Sequence, residues 1–373
     1  MHERHTHHHE KPRVLFILKL RHTSGGENCI LKSSGLYNSA EFCKDMLVAN
    51  GYEAALVQVV DNNGIDHEVH EYRPDVVIIE ALWVVPTKFI ELKRLHPNVK
   101  WIIRVHSKIP FLAGEGNAIE WINKCSRMKN VFVSLNSEEA HKDFLNYFNE
   151  RDPMGYLAKK LVYLPNYYPV KDVSKRPEGV TMLDVGCFGA IRLMKNPVTQ
   201  AFAAIRYAES IGKRLQFHVN SGRIEHGMST LTNMRALFAP FRGKHTLVEH
   251  EWMEREIFLS MVRAMDIGLQ MSLSESFNIV AADFVSEDVP MVTSREIDWM
   301  PEYFTTDATS VEKIVEAMDR TLKYRPFLGI GHNAKKSLRK YVEESERIWL
   351  KTFKFFEHNR QPCFCSEASE KDL

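Results

Sequence analysis

Two carboxylates in one short stretch carry the most chemistry in this sequence. Glu275 and Asp283 lie in SLSESFNIVAADF (272–284), where a strand-like run gives way to an apolar helical pattern. A carboxylate near a helix N-terminus is favoured by the dipole, and Ser274 or Ser276 can cap such a helix. Glu275 alone therefore fits an ordinary helix start. Asp283 does not, because Ile279, Val280, Ala281, Ala282, Phe284 and Val285 surround it. A buried carboxylate needs partners. At ~1.5 Å rise per residue, the helical distance between the two acids is roughly 12 Å. That matches the reach from a sugar, across a diphosphate, to a ribose. One acid could grip hydroxyls at each end, with helix amides facing the phosphates between them.

Arg192 and Lys195 follow the glycine turn of VGCFGAIRLMKN (185–196), which contains Gly189. Each alone reads as a solvated charge. Together, beside a helix start, they form a diphosphate clamp. His106 follows the apolar run WIIRV, either as a polar residue ending a strand or as a site group. Gly25-Gly26 follows the first apolar run, either as a plain turn or as backbone that must approach a ligand closely. The chain contains no Asp-x-Asp, which removes the usual reason to invoke a divalent metal. The six cysteines are scattered and read as reduced thiols of a cytosolic protein. Cys363-Phe-Cys365 has the wrong spacing for a zinc knuckle.

The elements that position these residues alternate. VLFILKL (14–20), EAALVQVV (53–60), DVVIIEALWVV (75–85), KWIIRVHS (100–107), NVFVSL (130–135) and KLVYLPN (160–166) read as strands. A helical stretch spans about 36–50, and Asn136-Ser-Glu-Glu139 resembles a capping box opening EEAHKDFLNYF. KDVSKRPEG (171–179) is linker-like. The pattern then restarts with strands TMLDVGCFG (181–189), RLQFHVN (214–220), HTLVEHEW (245–252), DIGLQMS (266–272) and VPMVTS (289–294), and a helix over 197–212. Strands alternating with helices imply parallel β-α units with helices on both sheet faces. This predicts an α/β protein of two Rossmann-like domains, 12–170 and 180–331, followed by a helix over 332–358. The helix carries Leu338, Tyr341, Val342, Ser345, Trp349, Thr352, Phe353 and Phe356 on one face. It docks on its own domain or returns to the first. Residues 1–11 and 359–373 read as disordered tails. Open parallel sheets bind ligands beyond the carboxyl ends of their strands, which places the expected site in a cleft between the domains.

The composition suits two domains of this size: 373 residues, 44% hydrophobic, 26% charged, formal net charge +1. The charge balance argues against wholesale phosphate neutralisation along a nucleic acid. No apolar run reaches the ~18 residues of a spanning helix. The start, MHERHTHHHEKP, lacks the apolar segment of a secretory signal.

With its motifs in this order, the chain resembles the retaining glycosyltransferases of the GT-B fold, the family 4 group (glycosyltransferase group 1). Their signature is Glu, seven residues, Glu at a strand-to-helix junction. Here Glu275 takes the first place and Asp283 the second. VGCFGAIRLMKN resembles the family's glycine loop, VHS (105–107) its V-H-D region, NSEEAHKDF its S-E-x-x motif, and LPN (164–166) its P-N before the linker. The last helix resembles the one that crosses back to the first domain. The resemblance implies candidate catalytic residues His106, Arg192, Lys195 and Glu275. Glu275 would hold sugar hydroxyls, Asp283 the ribose, and Arg192 and Lys195 the leaving diphosphate. The amides of Ser276, Phe277 and Asn278 would meet sugar or phosphate. His106 would sit near the transferred sugar, with Gly25, Gly26 and Gly189 near the donor or acceptor. Three departures stand out: Asp283 is one methylene shorter than Glu, Asn278 replaces a common Gly, and Cys187 replaces a frequent Arg. The implied donor is a UDP- or GDP-sugar, with no cofactor or metal required. The acceptor remains open among polysaccharide, lipid, protein and a hydroxymethylated base in DNA. An epimerase or phosphorylase of the same fold, and a non-catalytic nucleotide-sugar-binding module, are the alternative readings. A Rossmann dehydrogenase is disfavoured, since Gly329-Ile-Gly331-His-Asn-Ala334 follows no convincing strand.

Overall fold

A computed structural model describes residues 11–20, 34–172, 182–225, 228–241, 243–323 and 330–358. Gly25, Gly26, the expected linker beyond Asp172, residues 1–10, the 359–373 tail and Cys29, Cys363 and Cys365 lie outside the described residues. Contacts divide the chain into two units. The first draws on Met1–Arg21, Ser39–Tyr167 and Glu344–Leu373, the second on His22–Asn38 and Tyr168–Glu343.

The strands of the first unit are β1 (Val14–Lys19), β2 (Ala54–Val59), β3 (Val76–Glu80), β4 (Lys100–Val105), β5 (Val131–Leu135) and β6 (Leu161–Tyr163). Between them run helices α1 (Gly35–Ala49), α2 (Gly64–Tyr72), α3 (Pro86–Leu95), α4 (Ile109–Leu112), α5 (Ala118–Cys125) and α6 (Glu138–Arg151). The sheet is parallel throughout, in the order β2-β1-β3-β4-β5-β6. Parallel pairing with covered faces explains why the strands are nearly continuous apolar runs. One face carries Leu15, Ile17, Val77, Ile79, Trp101 and Ile103 into a core with α3 and α5. The expected third strand is shorter than its apolar run. It ends at Glu80, because Ala81 adopts φ 71° and turns the chain away. The helix expected after residue 136 is present, but its cap is Ser137 rather than Asn136: Ser137 Oγ accepts from the Ala140 N–H, and with alanine at that position the reciprocal half of a capping box is missing.

The second unit contains β7 (Met182–Cys187), β8 (Arg214–Asn220), β9 (His245–His250), β10 (Ile267–Gln270), β11 (Met291–Ser294) and β12 (Thr305–Thr306). Its helices are α7 (Pro197–Ser210), α8 (Ser229–Phe238), α9 (Arg255–Ala264), α10 (Ile279–Ser286), α11 (Val311–Lys323) and the start of α12 (Ile330–His358). Its sheet is again parallel, ordered β12-β11-β10-β7-β8-β9. Two glycines fix how α10 lies on it. Gly186 and Gly268 are register partners on β7 and β10. A Cβ at Gly186 would come within 2.6 Å of Phe284 Cζ, and one at Gly268 within 2.6 Å of Phe284 Cδ1. The bare backbone therefore lets Phe284 press flat on the strands. Gly268→Ala should push α10 outward and destabilise the protein by ~1–3 kcal/mol. A urea melt with an unshifted midpoint would refute this close-packing account.

The long last helix divides between the units, with residues from Glu344 onward grouping with the first. There Trp349 stacks on Phe16 at 6.1 Å, Phe353 meets Tyr52 at 5.6 Å and Phe356 meets Phe132 at 5.3 Å. Ahead of the division, Tyr341 stacks on Phe277 at 5.2 Å and Ser337 Oγ donates to the Trp299 carbonyl. Among the described residues no helix is long and apolar enough to cross a membrane.

Candidate active site

In a parallel sheet every strand ends on the same side, so the loops after β7, β8 and β10 gather at one edge of the second unit. Of the sequence candidates described in this unit, Gly189, Arg192, Lys195, Glu275, Ser276, Phe277 and Asn278 sit on them, and Asp283 lies within α10. After β7, Gly189 adopts φ 109°, and its N–H donates to Asn220 Oδ1 at 2.9 Å. This conformation favours glycine and turns the chain toward Arg192. Leu193–Lys195 form one 3₁₀ turn, and Asn196, left-handed at φ 54°, leads into Pro197 at the start of α7. Gln200 Nε2 donates to the Lys195 carbonyl at 2.7 Å, fixing the backbone beneath the lysine.

Lys195 Nζ is ion-paired with Glu275 Oε2. Glu275 also accepts from Ser272 Oγ at 3.3 Å, Asn278 Nδ2 at 3.2 Å and the Ser276 N–H at 3.3 Å. Burial works to raise the Glu275 carboxyl, but the Lys195 and Arg192 cations, with the hydrogen bonds from Lys195 and the Ser276 N–H, prevail and hold it below the ordinary glutamate range. Glu275 thus stays ionised near neutrality, as an anion that accepts rather than donates.

Glu275 is not at the helix start as expected. Helix α10 begins at Ile279, and its cap is Asn278, not Ser274 or Ser276. Asn278 sits at φ 62°, where asparagine is tolerated, and its Oδ1 accepts from the Ala281 N–H at 2.9 Å. Its Nδ2 also donates to Gln270 Oε1 at 2.8 Å, and Gln270 Nε2 donates to the Phe188 carbonyl at 2.9 Å. The loop before α10 is therefore tied to the loop after β7. Since the helix begins only at Ile279, the helical rise is not a valid ruler between the two acids. The Phe277 side chain is buried against Tyr341 and Trp299, and its carbonyl accepts from Trp299 Nε1 at 2.7 Å.

Asp283 is 2% exposed, which bears out the reading that it needs partners. Its Oδ1 accepts from Tyr168 Oη at 2.8 Å and Arg255 Nη2 at 2.7 Å. Burial raises its carboxyl above the ordinary aspartate range even against Arg255. Sequence reasoning missed both partners. The available signal was Arg255 itself: a cation in the first turn of α9 opposes the helix dipole and so wants a carboxylate.

Arg192 Nη1 lies 3.2 Å from Glu225 Oε2, in the loop after β8, and Arg223 Nη2 lies 2.6 Å from Glu225 Oε1. Neither Arg223 nor Glu225 was identified from sequence, and two charges of opposite sign on either side of Ile224 gave no pattern to find them by.

His106 belongs to the first unit, just past β4. Its Nε2 lies 2.5 Å from Glu80 Oε2, and Asn136 Nδ2 lies 3.3 Å from its Nδ1. Glu80 is completely buried and also binds Arg104 Nη1 at 3.2 Å through both oxygens. Among the described residues no group of three or more His, Cys, Asp or Glu is placed to hold a metal ion. Cys43, Cys125 and Cys187 are buried free thiols, each pushed up by burial, to about 11, 12 and 12.

No protein-family model matches the sequence, and no curated protein matches it either. Solved structures do match the fold. The E. coli trehalose-6-phosphate structure bound with UDP-2-fluoro glucose superposes with TM-score 0.64 at 10% identity, covering 92% of this chain and 99% of that one. The architecture of this chain is GT-B. Two further structures share the GT-B fold with it. A UDP-forming trehalose-phosphate synthase from Burkholderia xenovorans gives TM-score 0.59 at 13% identity, covering 80% of this chain and 77% of its own. S. aureus TarM, in complex with fondaparinux, α-GlcNAc-glycerol and UDP, gives 0.58 at 12% identity, covering 74% and 55%.

Proposed function

We propose that this protein is a glycosyltransferase that moves a sugar from a nucleoside-diphosphate sugar to an acceptor hydroxyl with retention. The observation that carries the reading is the Lys195–Glu275 pair, with Arg192 beside it, at the strand ends of the second GT-B unit. The cations answer the negative charge of a diphosphate, and the ionised Glu275 answers sugar hydroxyls. Two of the similar structures contain UDP or a UDP-sugar, which supports a UDP-sugar as the first donor to try and a GDP-sugar as the second.

In the proposed reaction the bond from the anomeric carbon to the diphosphate oxygen breaks, and its electron pair leaves with the phosphate. Arg192 and Lys195 stabilise the charge that develops there. The acceptor oxygen bonds to the anomeric carbon on the face the phosphate leaves, and the acceptor proton passes to the departing phosphate. These two cations supply the charge stabilisation for which other enzymes use a metal, so metal independence is part of the proposal. Asp283 is buried behind Tyr168 and Arg255, so the ribose role proposed for it requires the partly exposed Arg255 to move aside or to make the contact in its place. His106, Gly25, Gly26, Gly189, Ser276, Phe277 and Asn278 keep the roles the family resemblance implies. A cytoplasmic setting is part of the proposal.

A thermal-shift panel of UDP-, GDP-, ADP- and TDP-sugars, followed by acceptor screening with the best donor, tests the reading. Stabilisation by one nucleotide class and transfer of its sugar with retained anomeric configuration are expected. An inverted product would overturn retention, and a panel with no stabilising member would overturn the donor site.

A further inference from the structure

We propose that Glu225 tunes the diphosphate clamp: it joins Arg192 and Arg223 into one cationic group and limits how tightly that group holds the leaving nucleoside diphosphate. The inference rests on the donor site proposed above. Glu225 acts through the arginines and is a positioning residue.

The loops involved are fastened before any side chain acts. The Ile191 N–H donates to the Arg223 carbonyl and the Glu225 N–H to the Ile191 carbonyl, each at 2.9 Å, so the segments after β7 and β8 run side by side. Onto this frame the Glu225 carboxylate is set between two guanidiniums, 3.2 Å from Arg192 and 2.6 Å from Arg223. All three side chains are largely buried, with exposures of 19–23%. Burial alone would raise the Glu225 carboxyl, but Arg223 and Arg192 hold it below the ordinary range, so it is an anion near neutrality.

The wider group contains three cations, Arg192, Lys195 and Arg223, and two anions, Glu225 and Glu275. Among these five side chains one positive charge is in excess. Without Glu225 the excess would be two, facing a ligand that carries at least two negative charges. Tighter diphosphate binding is not an advantage to a transferase, because the diphosphate is also its product and must leave. Glu225 meets both needs. It orients Arg192 toward the incoming diphosphate, and its charge opposes over-tight retention of the product.

Full-length native protein and the isosteric variant Glu225→Gln should be compared by calorimetry with UDP, GDP and ADP and with the parent nucleosides, at low and high salt. For the diphosphate that the native chain binds, the variant should bind on the order of tenfold tighter. The gain should shrink with salt, and the nucleoside should bind both proteins alike. Arg223→Gln, which leaves Glu225 to Arg192 alone, should weaken the same diphosphate while sparing the nucleoside. Unchanged diphosphate affinity in Glu225→Gln overturns the proposal. So does a parallel loss for diphosphate and nucleoside with a lowered Tm, which is the signature of a purely structural carboxylate. If the native chain binds none of these diphosphates and TDP neither, the donor reading itself fails and this inference fails with it.

Discussion

Lys195→Ala is expected to lower kcat by about 10²–10³ while the protein still folds. The effect on rate is large because Lys195 carries one of the two proposed cations for the leaving oxygen, where charge appears only as the bond breaks. An interaction that strengthens in the transition state appears in kcat as well as in KM. The effect on folding is small by comparison. Lys195 is 17% exposed and belongs to a one-turn connection whose backbone is held by Gln200 and Asn196. After the substitution Glu275 keeps Ser272, Asn278 and the Ser276 N–H as donors. Its carboxyl should move up, since a neighbouring cation that holds it down is gone. Single-turnover kinetics with the best donor from the nucleotide panel measure the loss, and circular dichroism melts check the fold. Lys195→Arg should recover part of the rate, as it restores charge without the ammonium's geometry. A Lys195→Ala enzyme turning over near the native rate would remove the clamp from the mechanism.

The regular elements were legible because buried parallel strands leave uninterrupted apolar runs. RLQFHVN is β8 residue for residue, and the helix expected over 197–212 occupies Pro197–Ser210. Errors came where an apolar run outlasts its strand, as in ALWVV after Glu80. There the backbone leaves the sheet at a left-handed alanine that side-chain types do not announce. The same limit displaced the start of α10. Serines at 274 and 276 are sound caps by type, but the turn is made at Asn278, which tolerates positive φ and caps from that position. The acids and cations of the donor loop were visible as residue types; their pairings were not. Lys195 meets Glu275 across 80 residues and Asp283 meets Tyr168 across 115, and no local pattern encodes either. Glu80 and Arg104 were the most readable omission. Glu80 is the one charge in VVIIE, and Arg104 is the one charge inside KWIIRV once Lys100 at the strand's first position is set apart; two such interior charges of opposite sign imply one another.

That pair yields the largest expected effect on stability. Glu80 and Arg104 are register partners on β3 and β4, both with no exposure. Arg104 also donates to the Leu164 and Pro165 carbonyls and to Asn166 Oδ1, and its guanidinium lies 5.2 Å from the Trp349 ring. It therefore ties strand β4 to the segment after β6 and to the last helix within the first unit. Glu80→Ala should destabilise by ~3–5 kcal/mol, because it leaves a buried guanidinium without its anion and removes the Nε2 partner of His106. Against a typical total of about 5–15 kcal/mol, that is enough to unfold much of the population at moderate temperature. The double variant Glu80→Ala with Arg104→Met should be less damaging than the sum of the single changes, since no buried charge is then left unpaired. The pair also has a pH signature. Burial would raise the Glu80 carboxyl, but Arg104 and His106 hold it below the ordinary glutamate range. The folded value therefore lies below the unfolded one, and the stabilisation is fully present above the unfolded value of about 4.3. It is lost as pH falls from there through the lowered folded value. Native protein should accordingly lose stability on acidification below about pH 4.3, and the double variant should lose less. Additive single changes in urea melts, or identical acid limbs in native and double variant, would show that the charges act independently rather than as a pair.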